Sequence, residues 1–226
     1  MEEATPRRQN RKRLVVGVGG VTNGGKSTLS MALQQRLANS CVIAQDSYFK
    51  DESELPEDDR GFKHYDTLQA LRMDKMMGDV ESWFEDPPAF MASRGLKISH
   101  PAAADQQEVF ILIVEGFLIF NHGPLNALMD LRYFLHIPYD VCRERRSSRA
   151  YDPPDPPGFF EGYVWPMFLK NRAEMEASVT DLVYLDGLRG REDLQRGVLE
   201  ELRGRVDAIR SVQVHQISRP TFYYSL

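Results

Sequence analysis

The chain has only two cysteines, no long hydrophobic run and no excess of positive charge. Cys41 and Cys142 lie far apart and neither has a histidine beside it, which argues against a disulfide framework, a metal centre or a catalytic thiol. We expect both thiols to be reduced, as in a cytosolic protein. No apolar stretch reaches the ~18 residues that cross a bilayer, and the first strand is too short for a signal peptide. The net charge of -5 argues against broad nucleic-acid binding.

The length predicts one folding unit. With 226 residues the chain is long enough for a single α/β domain with a sizeable core and too short for two. We expect that domain at residues 14–210, after a disordered basic head at 1–13 and before a tail at 211–226. The head is typical of a solvated tail, and it leaves a nuclear address open beside a cytoplasmic location. No coiled-coil pattern indicates an oligomeric state.

Apolar runs of strand length alternate with segments of helical spacing. The runs are residues 14–18, 41–45, 110–114, 133–137 and 181–185. Because they are continuous rather than alternating, they predict a five-stranded parallel sheet with helices on both faces. Such doubly wound sheets bind ligands at the carboxyl ends of their strands.

Three further segments complete the predicted organisation. Apolar residues from Leu194 to Ile209 recur every three or four positions, which predicts a final helix with one face in the core. A shorter helix is expected after Asp66. The proline- and alanine-containing segment 86–108 is interpreted as a surface excursion.

A glycine-rich segment follows the first apolar run. Residues 20–27, the phosphate loop, match the pattern G-x-x-x-x-G-K-[ST] at every position. A strand before the loop and a helix from Ser27 to Leu37 make a simple glycine-rich turn improbable. Glycines allow backbone N–H groups to approach phosphate oxygens, and the helix N-terminus adds partial positive charge. The loop therefore predicts a nucleoside triphosphate site, in which Lys26 reaches the β- and γ-phosphates and Ser27 binds Mg²⁺.

Two acidic residues stand at predicted strand ends beside this loop. Asp46 follows the second apolar run, and Glu115 follows the third. Carboxylates at such positions in phosphate-loop proteins commonly serve Mg²⁺, although each alone could be an N-cap or turn residue. One of the two is expected to orient or deprotonate an attacking hydroxyl. Asp46 is the better candidate because Tyr48 and Phe49 offer aromatic surface for a flat acceptor.

An arginine-rich segment precedes a proline-rich hinge. Arg143, Arg145, Arg146 and Arg149 lie between a strand end and the prolines of residues 153–157. A lid over the transferring phosphoryl group needs positive charge and must exclude water, so we predict an arginine-rich lid at about 142–160. The alternative is a solvated basic face. The arginines cannot all face one ligand from a helix, so at least one is expected to be structural.

These motifs, taken in order, resemble one enzyme family. The chain resembles the nicotinamide riboside kinases, members of the uridine-kinase-like group of phosphate-loop kinases, from about Leu14 to about Val206. The motifs that carry the resemblance are residues 20–29, Gln45-Asp46, 61–66, 115–118, 145–149, 152–158, 164–167 and 183–187. It implies a P-loop kinase fold and ATP-dependent phosphorylation of the ribose 5′-hydroxyl of nicotinamide riboside, with nicotinic acid riboside as a second acceptor.

The resemblance also implies a role for each matched residue. Asp46 would be the base, and Asp66 and Arg146 would hold the ribose 2′- and 3′-hydroxyls. Tyr65 and Tyr151 would sandwich the pyridine ring, whose cationic charge favours an aromatic face. The metal ligands would be Ser27, Glu115 and Asp46. The ATP-binding set would be Gly20, Val21, Thr22, Asn23, Gly24, Gly25, Lys26, Ser27, Thr28, Arg145 and Arg149, with Lys26 also catalytic.

Three positions depart from the family's pattern. Ser47 follows Asp46 where an Asp-Asp pair is usual, Tyr48 replaces a usual Phe, and Tyr163 stands where the family tends to have His. If the missing carboxylate helps to position the metal or the base, Ser47 lowers turnover. None of the three changes removes a residue to which we assign chemistry.

Three alternative functions follow from the same residues. The first is a uridine or cytidine kinase of the same fold. The second is a regulatory GTPase, which we reject because the D-x-x-G match at 155–158 follows a basic helix and no N-K-x-D motif is present. The third is a weakly active kinase scaffold with a binding role. The retained Lys26, Asp46 and Glu115 argue against it.

Overall fold

A computed structural model describes residues 11–100, 108–151 and 153–211. Most of the predicted head and tail therefore lies outside the described residues, as does Asp152. The strands are β1 (Arg11–Gly20), β2 (Ser40–Ala44), β3 (Glu108–Glu115), β4 (Leu131–His136) and β5 (Leu182–Asp186). The α-helices are α1 (Lys26–Arg36), α2 (Met73–Glu85), α3 (Pro87–Ser93), α4 (Gly123–Asn126), α5 (Tyr139–Ser147), α6 (Trp165–Ser178) and α7 (Arg191–Ser211).

The strands form one parallel sheet of five strands in the order β2-β3-β1-β4-β5. Strand β1 lies at the centre between β3 and β4, so the strand before the phosphate loop has neighbours on both sides. The order changes direction at β1, and the crevice beyond the carboxyl ends of the strands opens there. The predicted α/β fold is confirmed.

Side chains of the central strands alternate between two cores. On β3, Phe110, Leu112 and Val114 pack with Trp83 of α2 on one face. Val109, Ile111 and Ile113 pack on the other face with α1 and α7, including Leu33 and Leu202. Every residue of β3 is buried. Covering both faces explains why the sequence of these strands is continuously apolar.

Two 3₁₀ turns and a π-helical turn connect the sheet to the site. Single 3₁₀ turns follow β2 (Gln45–Tyr48) and precede α2 (Leu68–Ala70). A π-helical turn, Phe160–Val164, leads directly into α6. Such turns place side chains at angles that a regular helix does not offer.

One predicted boundary and the interpretation of one segment were wrong. Strand β1 begins at Arg11, and its first residues pair with β3 from Glu108 onward, so residues 11–13 belong to the sheet and not to the head. The segment 86–108 is not only a surface excursion. It contains helix α3, from which Phe90 and Met91 are buried in the core.

The prediction of a final helix with one face in the core is confirmed. Helix α7 runs from Arg191 to Ser211 and buries Val198, Leu202 and Val206, as its spacing predicted. Cys41 and Cys142 are buried free thiols. Among the described residues, no helix combines the length and apolar character required to span a bilayer.

Candidate functional site

The phosphate loop is tightly fitted against strand β4. Gly20 has φ +138°, and a Cβ at that position would lie 2.2 Å from the carbonyl oxygen of Leu135. Gly25 has φ +100° and forms the N-cap of α1. Only glycine adopts such conformations at low cost, so both pattern glycines are required by the backbone path.

Lys26 is folded back onto the loop. Its Nζ donates a hydrogen bond of 3.0 Å to the carbonyl oxygen of Val21, and the side chain is buried. Burial lowers the pKa of Lys26, whereas the charges of Asp46 and Glu115 raise it. The two carboxylates therefore favour the cationic form of the lysine, which is the form that can bind a phosphate.

Ser27 and Glu115 form the predicted metal side of the site. The Ser27 hydroxyl donates a 2.8 Å hydrogen bond to Oε1 of Glu115. No described residue donates to the buried Oε2 of Glu115. Burial raises the pKa of Glu115, while the bond from Ser27 and the charge of Lys26 lower it. A buried carboxylate oxygen without a hydrogen bond, next to a serine hydroxyl, suits a small hard cation.

The few oxygen ligands at this site suit Mg²⁺, which keeps water and substrate phosphates as ligands, better than they suit a metal ion whose ligands all come from the protein. The described residues contain no cluster of three or more His, Cys, Asp or Glu that could hold a metal ion. Mg²⁺ is commonly bound by one or two carboxylates together with substrate phosphates and water. Glu115, Ser27 and Asp46 would supply the protein part of that set.

Asp46 lies at the end of β2 and is exposed to solvent. The residue before it anchors the turn, because the buried amide of Gln45 accepts a 2.9 Å hydrogen bond from the backbone of Leu118. A Cβ at Gly116 would come within 2.5 Å of the Gln45 side chain. The ends of β2 and β3 are thus locked together, and this contact places Asp46 beside Glu115.

Asp66 joins this group of charges from a separate segment. Burial raises the pKa of Asp66 to about 7, from 3.8. The charge of Arg146 lowers this pKa and that of Asp155 raises it, followed by smaller effects of Lys26 and Asp46. The phosphate-loop lysine and the two aspartates predicted to bind the acceptor therefore lie within one electrostatic environment.

Arg146 of α5 connects the predicted lid to the phosphate loop. Its Nε and Nη2 atoms donate to both carboxylate oxygens of Asp155, at 2.6 and 2.9 Å. Its Nη1 atom donates to Oγ1 of Thr22 at 3.3 Å. The guanidinium carbon lies 4.6 Å from the ring centre of Tyr151. A bidentate pair of this kind fixes the plane of the guanidinium as well as its position.

The other lid arginines make different contacts. Arg145 donates to the carbonyl oxygens of Asn23 and Gly187, at 3.3 and 3.2 Å, so it supports the loop backbone in this structure. Arg149 lies after α5 with its guanidinium carbon 5.1 Å from the ring centre of Tyr151. The expectation that the arginines do not share one target agrees with these contacts. Binding of ATP by Arg145 and Arg149 stays a prediction.

The two tyrosines predicted to hold the acceptor ring belong to different segments of the chain. Tyr65 packs edge-on against Phe49, with ring centres 5.9 Å apart. Tyr151 is tied to the phosphate loop, because the Asn23 amide donates a 3.1 Å hydrogen bond to its hydroxyl. The sandwich itself stays a prediction. The remaining loop residues predicted to bind ATP, from Val21 to Thr28, lie together between β1 and the first turn of α1.

Several residues that hold the predicted site residues in place were not identified from the sequence. Asp155 was considered only as part of the family motif 152–158 and of a rejected GTPase motif, with no role of its own, yet it is the ion-pair partner of Arg146. Tyr163 and Asn171 contact the backbone of Asp66. The Cys142 thiol donates to the carbonyl oxygen of Thr22 at 3.2 Å. A proline-rich hinge beside an arginine-rich helix was the signal that could have identified Asp155.

Comparison with known proteins agrees with this geometry. A nicotinamide riboside kinase 1 from Mus musculus is 50% identical over 196 residues, which cover 87% of this chain and 97% of that protein. A nicotinamide riboside kinase 2 from Homo sapiens is 46% identical over 191 residues, covering 84% of this chain and 81% of that protein. No protein-family model matches the chain.

Solved structures support the fold. An unliganded sugar kinase from Janibacter superposes with a TM-score of 0.51 at 16% identity, covering 88% of this chain and 99% of that one. This likeness concerns the fold alone. The extent and identity of the sequence matches identify the family: the chain belongs to the nicotinamide riboside kinases.

Proposed function

We propose that this protein transfers the γ-phosphoryl group of ATP to the ribose 5′-hydroxyl of nicotinamide riboside. The product is nicotinamide mononucleotide, a precursor of NAD. We place the activity in one domain that begins with β1 at Arg11 and ends at about residue 210, with its lid at about 142–160. The two buried free thiols suit a reducing compartment, and we infer a cytoplasmic location.

One observation carries the proposal: Arg146 contacts both halves of the site. It bonds to Thr22 in the phosphate loop, lies over Tyr151 and lowers the pKa of Asp66 through its charge. A residue in this position can contact the acceptor and the donor at the same time. This is what phosphoryl transfer requires, because the acceptor oxygen must be aligned with the γ-phosphorus.

The residues then have separate tasks in the transfer. Lys26 and the lid arginines stabilise charge on the phosphoryl group as the bond to the leaving oxygen breaks. Asp46 takes the proton from the 5′-hydroxyl, and Asp66 and Arg146 hold the other ribose hydroxyls. Ser27, Glu115 and Asp46 would hold Mg²⁺. When bound, the metal supplies charge neutralisation between the β- and γ-phosphates.

The aromatic ring of Tyr151 supports a cationic acceptor. Two guanidinium groups, from Arg146 and Arg149, lie 4.6 and 5.1 Å from its ring centre and repel a further cation where they lie. The attraction for the positively charged pyridine ring of nicotinamide riboside therefore comes from the aromatic face itself. A neutral pyrimidine would gain less from it.

A phosphorylation assay over four acceptors tests the proposal. Nicotinamide riboside, nicotinic acid riboside, uridine and cytidine are each assayed with ATP and with GTP, and the Lys26→Ala variant measures the background. We expect the highest kcat/KM with nicotinamide riboside and ATP. A clear preference for uridine or cytidine would overturn the acceptor assignment, and turnover equal to the Lys26→Ala background would overturn the enzyme assignment.

A further inference from the structure

Tyr163 lies between the segment that carries the acceptor-binding residues and the lid. It belongs to the π-helical turn Phe160–Val164 and is buried. We propose that Tyr163 is a positioning residue for the acceptor: it fixes the segment His64–Asp66 and, through that segment, both Tyr65 and Asp66. The inference rests on the proposed function and deepens it.

Side chains hold the backbone of Asp66 on both sides. The Asp66 N–H donates to the Tyr163 hydroxyl oxygen at 3.3 Å. The Asn171 amide of α6 donates to the Asp66 carbonyl oxygen at 2.9 Å. Asn171 is itself held, because its carbonyl oxygen accepts a 2.8 Å hydrogen bond from the Asn121 amide. The position of Asp66 is therefore set by the π-helical turn and α6 rather than by its own loop.

The ring of Tyr163 makes a second connection to the same segment. It stacks on His64, with ring centres 5.2 Å apart and planes 10° apart. It also stacks on Phe159, with ring centres 5.3 Å apart and planes 14° apart. Tyr163 thus contacts the residues on both sides of Tyr65, one by stacking and the other by a hydrogen bond. Aromatic pairs of this geometry are stabilising beyond the area they bury.

The stacking of Tyr163 on Phe159 connects it to the predicted lid. The Arg146 guanidinium carbon lies 5.9 Å from the ring centre of Phe159. Asp66, which bonds to the Tyr163 hydroxyl, and Arg146, which lies near Phe159, are the two groups predicted to hold the ribose hydroxyls. Tyr163 therefore connects the segment of Asp66 to the ring beside Arg146, and it need not touch the substrate to do so.

A positioning role of this kind has a kinetic signature. Displacing Asp66 and Tyr65 weakens binding of the riboside in the ground state and the transition state alike, which raises its KM and leaves kcat little changed. The ring of Tyr163 packs in one buried cluster with Val21 of the phosphate loop, and a variant that keeps the ring keeps this packing, so the KM for ATP is expected to stay constant. A general loss of structure would instead alter all three constants.

The Tyr163→Phe variant tests the role, because it removes the hydroxyl and keeps the ring. We expect the KM for nicotinamide riboside to rise about threefold to tenfold, the range that one neutral hydrogen bond supports. The kcat and the KM for ATP should stay within about twofold. Tyr163→His, whose ring can also stack and accept a hydrogen bond, should restore most of the riboside affinity.

Tyr184→Phe is the matched control. Tyr184 lies on the outer strand β5, and its hydroxyl donates to Glu176 of α6. The variant removes this hydroxyl, and its kinetic constants should equal those of the wild type. Thermal unfolding of each variant shows whether it is folded at the assay temperature, and a less stable variant is assayed at a lower temperature. An unchanged riboside KM in folded Tyr163→Phe, or an equal rise in the KM for ATP, would overturn the positioning role of Tyr163 and leave the proposed function standing. A wild type that turns over no riboside would overturn the proposed function as well.

Discussion

The Ser27 hydroxyl bonds to Glu115 across the space between α1 and the end of β3, with 2.8 Å between the two oxygens. The contact joins the helix that follows the phosphate loop to the strand beside it. It leaves the second oxygen of Glu115 buried without a hydrogen bond from any described residue. Both side chains thus point to one position, where we expect Mg²⁺.

Glu115→Gln should weaken the response to Mg²⁺ while leaving the fold intact. The amide retains the size of the side chain but loses its charge, so it is a poorer ligand for a hard cation. At saturating ATP we expect the Mg²⁺ concentration for half-maximal turnover to rise about tenfold, within the range seen when groups around a metal are altered. A magnesium titration of initial rates measures this. Glu200→Gln, an exposed site on α7, is the control; an equal midpoint for both variants would contradict the assignment.

Asp46→Asn should reduce turnover by at least tenfold and leave ATP binding nearly intact. Asparagine cannot accept the proton of the 5′-hydroxyl, and general-base assistance is typically worth about 10²- to 10⁴-fold. Single-turnover rates and a titration with a fluorescent ATP analogue separate the two effects. Asp59→Asn changes an exposed aspartate outside the site and should behave like the wild type. Normal turnover in Asp46→Asn would exclude Asp46 as the base.

The pKa of Asp66, raised by burial to about 7, predicts a pH-dependent affinity for the acceptor. The charged carboxylate accepts hydrogen bonds from ribose hydroxyls better than the protonated form does. The kcat/KM for the riboside should therefore rise with pH, by up to about tenfold per unit below pH 7, and level off above it. A profile from pH 5.5 to 8.5 tests this. Asp66→Asn should lose this inflection, and a flat wild-type profile would contradict the assignment.

The same pKa predicts how stability depends on pH. The folded state holds the proton of Asp66 more tightly than the unfolded state, whose pKa is near 3.8. The contribution of Asp66 to the free energy of unfolding therefore falls as pH rises from about 4 to 7. Asparagine does not titrate and has no such loss. The free energy of unfolding of Asp66→Asn minus that of the wild type should therefore be larger at pH 8 than at pH 5. Urea unfolding at both pH values gives the comparison.

Much of the site was predictable because its parts follow local rules. The phosphate loop is defined by glycines that its backbone requires, such as Gly20 and Gly25. Asp46 and Glu115 were identified because the carboxyl ends of parallel strands meet at one edge of the sheet. The strands themselves were visible because burial on both faces demands continuous apolar runs.

Features that depend on long-range pairing or on caps were missed. The prolines of segment 86–108 contributed to its interpretation as a surface excursion. However, proline is favoured in the first turn of a helix, where Pro87 and Pro88 lie, and the Asp86 carboxylate caps α3 by accepting from the Ala89 N–H at 3.4 Å. The contact of Tyr163 with Asp66 joins residues 97 positions apart. It depends on a π-helical turn, which leaves no periodic signature in the sequence.

Tyr151→Leu should separate a cationic acceptor from a neutral one. Leucine keeps an apolar surface but has no π face, so the attraction for the pyridinium ring is lost. We expect the KM for nicotinamide riboside to rise about fivefold or more, since a cation–π contact is worth roughly 0.5–2 kcal/mol. Any activity on uridine should change less, and steady-state kinetics with both nucleosides at saturating ATP measure the difference.

Tyr151→Phe is the control for this ring. It keeps the aromatic face and removes only the hydroxyl that bonds to Asn23, so its riboside KM should stay within about threefold of the wild type. If leucine and phenylalanine raised the riboside KM equally, the hydroxyl and not the ring would account for the effect. If leucine raised the KM for uridine as much as that for nicotinamide riboside, Tyr151 would act through shape alone. Either result would remove the cationic ring from the explanation of acceptor choice.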